Sequence, residues 1–417
     1  MKVLLVNKFF FMNGGSETVF FQERDFLRSQ GHTVVDFSMD HPRNVPSPYA
    51  GYFVPHVDYR DNGRHGEASG VLGKLRTAAA LIHNPEAIRN LHELIRREKP
   101  QIAHLHNIYH QLTPAIIPLL KKARVRIIMT LHDYKLICPT YLMIHGGRVC
   151  EKCAAGRFEW AFFRRCRGGA SMQSALLSME AYWHKWMKTY ESVDLFLSPS
   201  RFLAQRIAAH RIDSSKIRVL RNGIDTRIYQ PSREDKGYIL YFGRVSREKG
   251  VEVLLQAYRA LLAECDGARM ILPGLKIVGD GPLAERLARE YPEAHFTGYR
   301  AGDELRQLVC ECAFVVVPSQ WYENCSMTVL ESMAMGKPVI ASRIGGLPEQ
   351  VDHGTTGFLF DSGDAHELKK YMQFLVGSAD LRNTMGKAAR AKVEREYSLE
   401  SHCAHLLEIY EELLARA

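Results

Sequence analysis

Short apolar runs alternate along the chain with stretches whose apolar residues recur at helical spacing. Residues 1–6 form the first apolar run, and a glycine-rich loop, Asn13–Ser16, separates it from a helical pattern that ends at Gly31. A second apolar run begins at Thr33. This order predicts a strand, a helix and a second strand, because side chains repeat every two residues in strands and about every 3.6 in helices.

The same alternation continues through both halves of the chain. The apolar runs are residues 102–105, 127–129 and 195–197 in the first half, and residues 238–242, 275–278 and 314–317 in the second half. Continuous apolar runs between amphipathic helices are typical of parallel strands whose sheet is covered on both faces. We therefore predict an α/β fold with two Rossmann-like, doubly wound domains.

A turn-rich stretch interrupts this periodicity near the middle of the chain and predicts a linker. The predicted parts are a first domain at residues 1–220 with a cysteine-containing insert at about 138–170, a linker at 221–235, a second domain at 236–390, and a terminal segment at 391–417. The terminal segment has apolar residues at helical spacing from Leu399 to Tyr410. We expect it to form an amphipathic helix that packs back toward the first domain.

The composition is that of a folded globular protein. The chain has 417 residues, of which 46% are hydrophobic and 24% charged, and this excludes a largely disordered or coiled-coil protein. Its formal net charge of +9 favours an anionic partner, which could be a phosphate-bearing ligand, an anionic lipid surface or nucleic acid. No nucleic-acid-binding module is recognisable, and the first apolar run is too short for a signal peptide or a spanning helix, so we expect a cytoplasmic protein.

Two loops that follow predicted strands contain residues suited to binding phosphate. The loop Gly243–Gly250 places Arg244 and Lys249 where two cations could reach one anion, although a solvated charged turn would look the same. The second loop follows the strand at 314–317 and leads into a helix, whose first N–H groups are free to bind a phosphate. Glu323 lies in this loop and Glu331 on the helix. Taken singly, Glu323 would be an ordinary surface glutamate and Glu331 an ordinary helical one.

Together these motifs resemble the retaining GT-B glycosyltransferases known as group 1, or family four, and the resemblance covers nearly the whole chain. The motifs stand in the family's order: Gly14-Gly15-Ser16-Glu17, Asn222-Gly223-Ile224-Asp225, Gly243-Arg244 with Lys249-Gly250, Ile277-Val278-Gly279-Asp280-Gly281-Pro282, Glu323 with Glu331, and Pro338–Ser342 leading to Gly345-Gly346-Leu347-Pro348-Glu349. The resemblance implies the GT-B architecture, with a cleft between two Rossmann-like domains.

The resemblance also assigns roles. The second domain would bind a nucleotide-sugar donor and the first domain an acceptor. Arg244 and Lys249 would hold the diphosphate, Glu323 the donor sugar and Glu331 the ribose. The remaining donor-site residues would be Gly15, Asn324, Ser326 and Met327. His132 matches the family's histidine near the reacting sugar, so His132 and Glu323 are the predicted catalytic residues, although a lone histidine after a strand is more often structural.

The implied reaction is transfer of a sugar from a nucleotide diphosphate, UDP by expectation, to a hydroxyl group of a glycan or lipid-linked acceptor. Retention is thought to follow from front-face attack, and the pathway would be the synthesis of cell-surface polysaccharide or glycoconjugates. No cofactor is expected for catalysis, because the chain has no Asp-x-Asp triplet to bind a metal diphosphate. Asn324-Cys325-Ser326 stands where many members have Gly-Phe-Gly, so the sugar contacts should differ.

Two other functions fit parts of the pattern. A non-catalytic protein that binds anionic ligands would explain the positive charge, and it would show binding without turnover. A sugar-nucleotide epimerase with the GT-B architecture would share the fold, but it does not usually carry the pair of glutamates. A nicotinamide dehydrogenase is disfavoured, because no complete G-x-G-x-x-G follows the first strand.

The insert contains the remaining unusual features. Cys150 and Cys153 form a C-x-x-C motif flanked by Cys138 and Cys166, a set that could bind a structural zinc ion or could be a reduced loop without function. Residues 157–167 interleave aromatic residues with arginines. They could attach the protein peripherally to an anionic membrane, or they could form a local core around the cysteines.

Overall fold

The computed structural model describes residues 1–56, 78–210, 212–231, 235–268 and 273–416. Residues 232–234 of the predicted linker lie outside this description. The described chain contains two six-stranded parallel sheets, each with helices on its faces. The prediction of an α/β protein with two doubly wound domains is therefore confirmed.

The first sheet is built from β1 (Lys2–Val6), β2 (Thr33–Phe37), β5 (Ile102–Leu105), β6 (Arg126–Thr130), β9 (Leu195–Ser198) and β10 (Ile217–Val219). Its strand order is β10-β9-β6-β5-β1-β2. Two short pairs stand outside this sheet: β3 (Met39–Asp40) with β4 (Val54–Pro55), and β7 (Ile144–His145) with β8 (Arg148–Val149). The helices are α1 (Gly15–Ser29), α2 (Pro85–Glu98), α3 (Ile116–Lys122), α4 (Glu159–Phe163), α5 (Ser171–Trp186) and α6 (Arg201–Ala208).

The second sheet is built from β11 (Ile239–Phe242), β12 (Leu275–Val278), β13 (Ala294–Gly298), β14 (Phe314–Val317), β15 (Val339–Ser342) and β16 (Gly357–Phe360). Its strand order is β13-β12-β11-β14-β15-β16. The helices that follow the first domain are α7 (Val251–Ala268), α8 (Ala284–Glu290), α9 (Gly302–Glu311), α10 (Met327–Ala334), α11 (Leu347–Gln350), α12 (Ala365–Gly377), α13 (Ala379–Glu396) and α14 (Leu399–Ala415).

The strand order places the candidate loops where ligands bind in such folds. In each sheet the direction of winding reverses beside the first strand, between β1 and β5 and between β11 and β14. Open parallel sheets bind ligands outside the carboxyl ends of the strands at this reversal. The loop with Gly15 follows β1, and the loops with Arg244 and Glu323 follow β11 and β14. The predicted binding loops therefore all lie at the reversal points of their sheets.

The chain crosses between the domains twice, at neighbouring positions. Ile224 forms a parallel bridge with Ser398, and a Cβ added at Gly223 would lie 2.8 Å from Leu399 Cα. The sequence places the terminal helix at 391–417, whereas residues up to Glu396 belong to α13 and α14 begins at Leu399. Helix α13 packs in the second domain, and α14 packs in the core of the first domain, through Leu406 and Tyr410 among others.

Candidate active site

The two cations of the loop Gly243–Gly250 have different surroundings. Arg244 is exposed, and its guanidinium makes no hydrogen bond or ion pair with the described part of the chain. Lys249 instead donates a hydrogen bond of 2.7 Å to Glu323 Oε1. Arg244 is therefore free to meet an anion, whereas Lys249 already binds a carboxylate and would have to share its charge with a bound diphosphate.

This loop lies against the loop that follows β14. The backbone N–H of Gln320 donates to the carbonyl oxygen of Glu248 at 2.8 Å. Gly250 has a φ of +67°, and a side chain there would collide with the carbonyl oxygen of Pro318. The backbone conformation and the close approach of Pro318 therefore both require glycine at this position.

Glu323 is buried and accepts two short hydrogen bonds. Its Oε1 atom accepts from Lys249 Nζ and from Ser319 Oγ, each at 2.7 Å. Burial raises the pKa of Glu323, but the Lys249 ammonium and these hydrogen bonds outweigh it and hold the pKa below its usual range. Glu323 is thus a fixed carboxylate, and a fixed carboxylate can accept hydrogen bonds from sugar hydroxyls.

The start of α10 offers backbone donors to a ligand. Ser326 caps the helix and accepts a hydrogen bond from the Val329 N–H at 3.4 Å. The Met327 and Thr328 N–H groups make no hydrogen bond within the described residues. Gly15 lies directly across from them, because a Cβ there would be 3.1 Å from Met327 Cγ. The N-termini of α1 and α10 therefore meet across the cleft, and both present positive dipole ends.

His132 lies at the same place. It follows β6, it is half-buried, and its carbonyl oxygen accepts a hydrogen bond of 2.8 Å from Asn324 Nδ2. Burial and the neighbouring His106 lower the pKa of His132 well below its usual range. The structure therefore brings His132 of the first domain into contact with the loop of the second domain that carries Glu323.

Glu331 lies one turn into α10, in a less polar environment. Its Oε1 atom accepts a hydrogen bond of 3.5 Å from the Tyr229 hydroxyl. Burial raises the pKa of Glu331 to about 7, against the opposing effects of Tyr229 and Arg306. Near neutral pH this carboxyl group is consequently divided between its protonated and ionised forms.

Two contacts between the domains were not predicted from the sequence. Tyr322 packs on Phe202 of α6 with ring centroids 4.8 Å apart, and its hydroxyl donates to Glu151 Oε1 at 2.6 Å. Glu349 accepts hydrogen bonds from the first N–H groups of α6, at Arg201 and Phe202. The motif that ends at Glu349 was recognisable in the sequence, but its partner in the other domain was not.

A buried group of ionisable residues beside His132 was also missed. Glu23, His104 and His106 are each at most 1% exposed. Among the described residues they are the one group of three potential metal ligands whose ligand atoms all lie within 4.8 Å of one another. The available sequence signal was the alternation of His104 and His106 within a buried strand and the loop that follows it.

The four cysteines all lie in the insert but do not form such a group in the described chain. Cys138 and Cys153 are buried, and Cys150 and Cys166 are partly buried. Burial and the neighbouring thiols raise the pKa of Cys153 to about 12 and that of Cys166 to about 11. The zinc site stays a prediction. The insert itself reaches the second domain, because a side chain at Gly147 would collide with Arg247.

Two family models match the chain. The model described as Glycosyltransferase Family 4 matches residues 13–228, more than half of the chain, and the model described as Glycosyl transferases group 1 matches residues 236–378. The two matches together cover the second sheet, all strands of the first sheet except β1, and every predicted donor-site residue. No helix in the described part of the chain has the length and apolar character needed to cross a bilayer.

The similar proteins agree with these models. The sulfoquinovosyl transferase SQD2 of Arabidopsis thaliana is 31% identical over 225 residues, which are 49% of this chain and 42% of SQD2. The uncharacterized glycosyltransferase MJ1178 of Methanocaldococcus jannaschii is 30% identical over 200 residues, 47% of this chain and 53% of that protein. The alignments thus span about half the length of these two relatives.

The fold is shared with solved structures. Sucrose-phosphate synthase of Thermosynechococcus elongatus superposes with a TM-score of 0.72 at 18% identity, over 100% of both chains. Anabaena HepE, solved in complex with UDP-glucose, superposes with a TM-score of 0.63 at 17% identity, over 99% of this chain and 100% of HepE. The chain therefore has the GT-B fold and belongs to the family described as Glycosyltransferase Family 4, with a second domain of the type described as Glycosyl transferases group 1.

Proposed function

We propose that this protein transfers a sugar from a nucleotide-diphosphate donor to a hydroxyl group of an acceptor, with retention at the anomeric carbon. The observation that carries the proposal is the arrangement around the start of α10. Four features lie on the loops where the two domains face each other: backbone donors and an Arg244 guanidinium that have no partner among the described residues, the fixed Glu323 carboxylate, and His132. This set matches the charges of a sugar diphosphate.

The residues suit the charge changes of such a reaction. The bond between the anomeric carbon and the diphosphate oxygen breaks, leaving negative charge on the diphosphate and positive charge on the sugar. Arg244, Lys249 and the N-termini of α1 and α10 would stabilise the departing diphosphate. Glu323 would hold the sugar through its hydroxyl groups. In front-face attack the acceptor oxygen bonds to the anomeric carbon on the same face from which the diphosphate leaves. The departing phosphate oxygen takes the proton of the acceptor hydroxyl group.

The nucleotide would occupy the second domain. Glu331 is placed one turn beyond the phosphate-binding N–H groups of α10, where its carboxylate would accept hydrogen bonds from the ribose hydroxyls. The structure of HepE contains UDP-glucose. We therefore propose a UDP-sugar as the first donor class to test for this chain. No metal is assigned to the reaction, because Arg244 and Lys249 can supply the positive charge.

Calorimetric titration of UDP and GDP, with chelator present, tests the donor site. We expect one nucleotide to bind the wild-type protein and to bind Arg244→Ala and Glu331→Ala at least roughly tenfold more weakly. Arg289→Ala removes an exposed arginine of α8 and should bind like wild type. Equal affinity in all four proteins would refute the assignment. Binding without turnover of any nucleotide sugar would favour the non-catalytic binding protein.

We further propose that the acceptor lies at an anionic membrane surface. Seven of the thirteen large apolar side chains exposed in the described chain lie between residues 162 and 187. Met172, Met179, Trp183 and Trp186 follow one another at helical spacing along α5, so they share one exposed stripe. The buried face of the same helix carries Glu180, which pairs with Lys135.

The stripe is bordered by positive charge, including the exposed Arg165, Arg167 and Lys188. Rings at the interface and cations at anionic headgroups are the pattern of a peripheral membrane surface. A lipid-linked acceptor is therefore the acceptor class that we propose, in the synthesis of cell-surface glycans.

Co-sedimentation with liposomes tests this surface. We expect binding to vesicles that contain anionic lipid, and loss of most of it in the double variant Met179→Gln with Trp186→Gln. Phe374→Gln is the matched control, because Phe374 is an exposed aromatic residue on α12 of the second domain. Binding that does not depend on anionic lipid, or that survives the double variant, would refute the membrane surface.

A further inference from the structure

Glu23, on α1, is a buried carboxylate surrounded by imidazoles. Its Oε2 atom lies 3.3 Å from His104 Nδ1 and 3.4 Å from His106 Nε2, and its Oε1 atom lies 3.0 Å from His402 Nε2. Within the described chain no lysine or arginine lies within ion-pair distance of it. Burial raises the pKa of Glu23, but the histidines outweigh it and hold the pKa well below its usual range. Glu23 is therefore ionised and only accepts hydrogen bonds.

His402, at the start of α14, supplies the opposite charge. Its Nδ1 atom lies 2.6 Å from the carbonyl oxygen of Arg221, and its Nε2 atom faces Glu23 Oε1. A carbonyl and a carboxylate are both acceptors, so both ring nitrogens of His402 must carry a proton. His402 is consequently an imidazolium paired with Glu23, which balances the buried negative charge.

The second oxygen of Glu23 sets the direction of the next hydrogen bonds. His106 Nε2 makes no hydrogen bond in the described chain, but it faces the Glu23 carboxylate, with Oε2 at 3.4 Å. A lone pair on Nε2 would be repelled by the carboxylate oxygen at this distance, so this nitrogen carries the proton. A second imidazolium beside His402 would be repelled, so His106 is neutral and its Nδ1 atom is an acceptor. His132 Nε2 lies 2.9 Å from that atom and must be the donor.

This sequence of donors and acceptors fixes the tautomer of His132. Burial and His106 lower the pKa of His132 well below its usual range, so His132 is neutral and carries its one proton on Nε2. Its Nδ1 atom then has a free lone pair. In the described part of the chain this atom makes no hydrogen bond, and the half-buried His132 lies beside the second-domain loop that carries Glu323, through its hydrogen bond with Asn324.

We propose that Glu23 and His106 are positioning residues that hold His132 in the Nε2–H tautomer, so that His132 accepts a hydrogen bond through Nδ1 from a hydroxyl group of the donor sugar. The inference rests on the proposed function only for its last step, the identity of the hydroxyl group. The tautomer itself follows from the contacts and hydrogen bonds within the protein.

The alternative occupant of this cluster is a metal ion held by Glu23, His104 and His106. His104 makes this less suitable, because Nδ1 lies 2.7 Å from the Tyr410 hydroxyl and Nε2 lies 2.7 Å from Thr130 Oγ1. Binding of a metal to His104 would break one of these short hydrogen bonds. The hydrogen-bonded network therefore accounts for the cluster better than a metal site does.

Glu23→Gln tests the proposal, because it should reverse the sequence of hydrogen bonds without opening a cavity. The oxygen of the introduced amide would face the His402 N–H, and its NH₂ group would face His106 Nε2. His106 would then accept through Nε2 and donate through Nδ1, and His132 would become the Nδ1–H tautomer. ¹⁵N NMR of histidine-labelled protein distinguishes the two tautomers directly.

We expect the His132 Nδ1 resonance of the wild-type protein in the range of an unprotonated nitrogen, and in the range of a protonated nitrogen in Glu23→Gln. Glu98→Gln, which removes a carboxylate of the same domain paired with Lys2, should leave the tautomer unchanged. The sugar-transfer rate should fall roughly tenfold in Glu23→Gln, the loss of about one hydrogen bond, while UDP affinity stays constant. A protonated Nδ1 in the wild-type protein would overturn the proposal.

His106→Asn gives a second test in case Glu23→Gln does not fold. It removes the link between Glu23 and His132, so His132 should show a mixture of both tautomers. One bound metal ion per wild-type chain that is lost in Glu23→Gln would overturn the proposal in favour of the metal site. The NMR result does not require turnover. The Nε2–H tautomer of His132 without any sugar transfer would refute the proposed function but not this inference. Sugar transfer with the Nδ1–H tautomer in the wild-type protein would refute this inference but not the proposed function.

Discussion

Nucleotide binding should depend on pH through Glu331. Burial raises the pKa of this carboxyl group to about 7 in the unliganded protein, and the ionised form is the better acceptor for two ribose hydroxyls. If only the ionised form binds, about 9% of the protein is competent at pH 6 and about 91% at pH 8. The affinity should therefore rise roughly tenfold between pH 6 and pH 8 and level off above pH 8.

The sign is opposite for the unliganded fold. A carboxyl group whose pKa is raised by folding stabilises the folded state below its unfolded pKa, and this stabilisation is lost as the pH rises through about 7. Glu331 thus costs stability at the pH at which it binds best. Glu331→Gln should remove both effects, because the amide has nearly the same shape and does not titrate.

Calorimetry at intervals from pH 6 to 8 measures the affinity change, with a nucleotide sugar whose diphosphate is esterified at both ends as the ligand. Such a ligand avoids the terminal phosphate group of a free nucleotide, which itself titrates near pH 6. Glu331→Gln is the control and should bind with weak, constant affinity. The same pH dependence in wild type and variant, or constant wild-type affinity across the range, would refute the role of Glu331.

Two further predictions follow from the site and the insert. Lys249→Met should destabilise the fold by roughly 3 kcal/mol in chemical denaturation, because it leaves the buried Glu323 carboxylate without its ammonium partner, whereas Arg244→Met should change stability by less than about 0.5 kcal/mol. Equal effects would contradict the ion pair. If the four cysteines bind a structural zinc ion, elemental analysis should find about one zinc ion per chain, and less in Cys153→Ser. Absence of zinc from protein purified without chelator would instead favour a loop of free thiols without a metal.

The sequence predicted the parts of the site that depend on local pattern. The glycines after β1 and β11, two cations in one loop and a glutamate pair around a helix start are visible without knowledge of the tertiary structure. The structure places these features at the reversal points of the sheets. The sequence does not predict the pairing of Lys249 with Glu323, because the two residues are 74 positions apart and the resemblance assigns each of them to a different part of the ligand.

The contacts across the cleft could not be predicted for the same reason. Asn324 and His132 are 192 positions apart, and Tyr322 and Glu151 are 171 positions apart. Both contacts depend on how the two sheets are placed relative to each other. The sequence around a single polar residue does not indicate which distant residue it will contact. The apolar periodicity of a strand or helix, in contrast, indicates which of its faces will pack in a core.

The terminal helix shows how far such long-range contacts reach into the chemistry. The apolar spacing of α14 predicted that it would pack on something, and its apolar side chains do complete the core of the first domain. The same helix also brings His402 to Glu23, which is 379 positions away. Packing of α14 therefore places the positive charge that lets Glu23 remain ionised in the interior. Because the ionised Glu23 sets the hydrogen bonds of His106 and His132, docking of a helix outside the catalytic loops would determine which nitrogen of His132 faces the cleft.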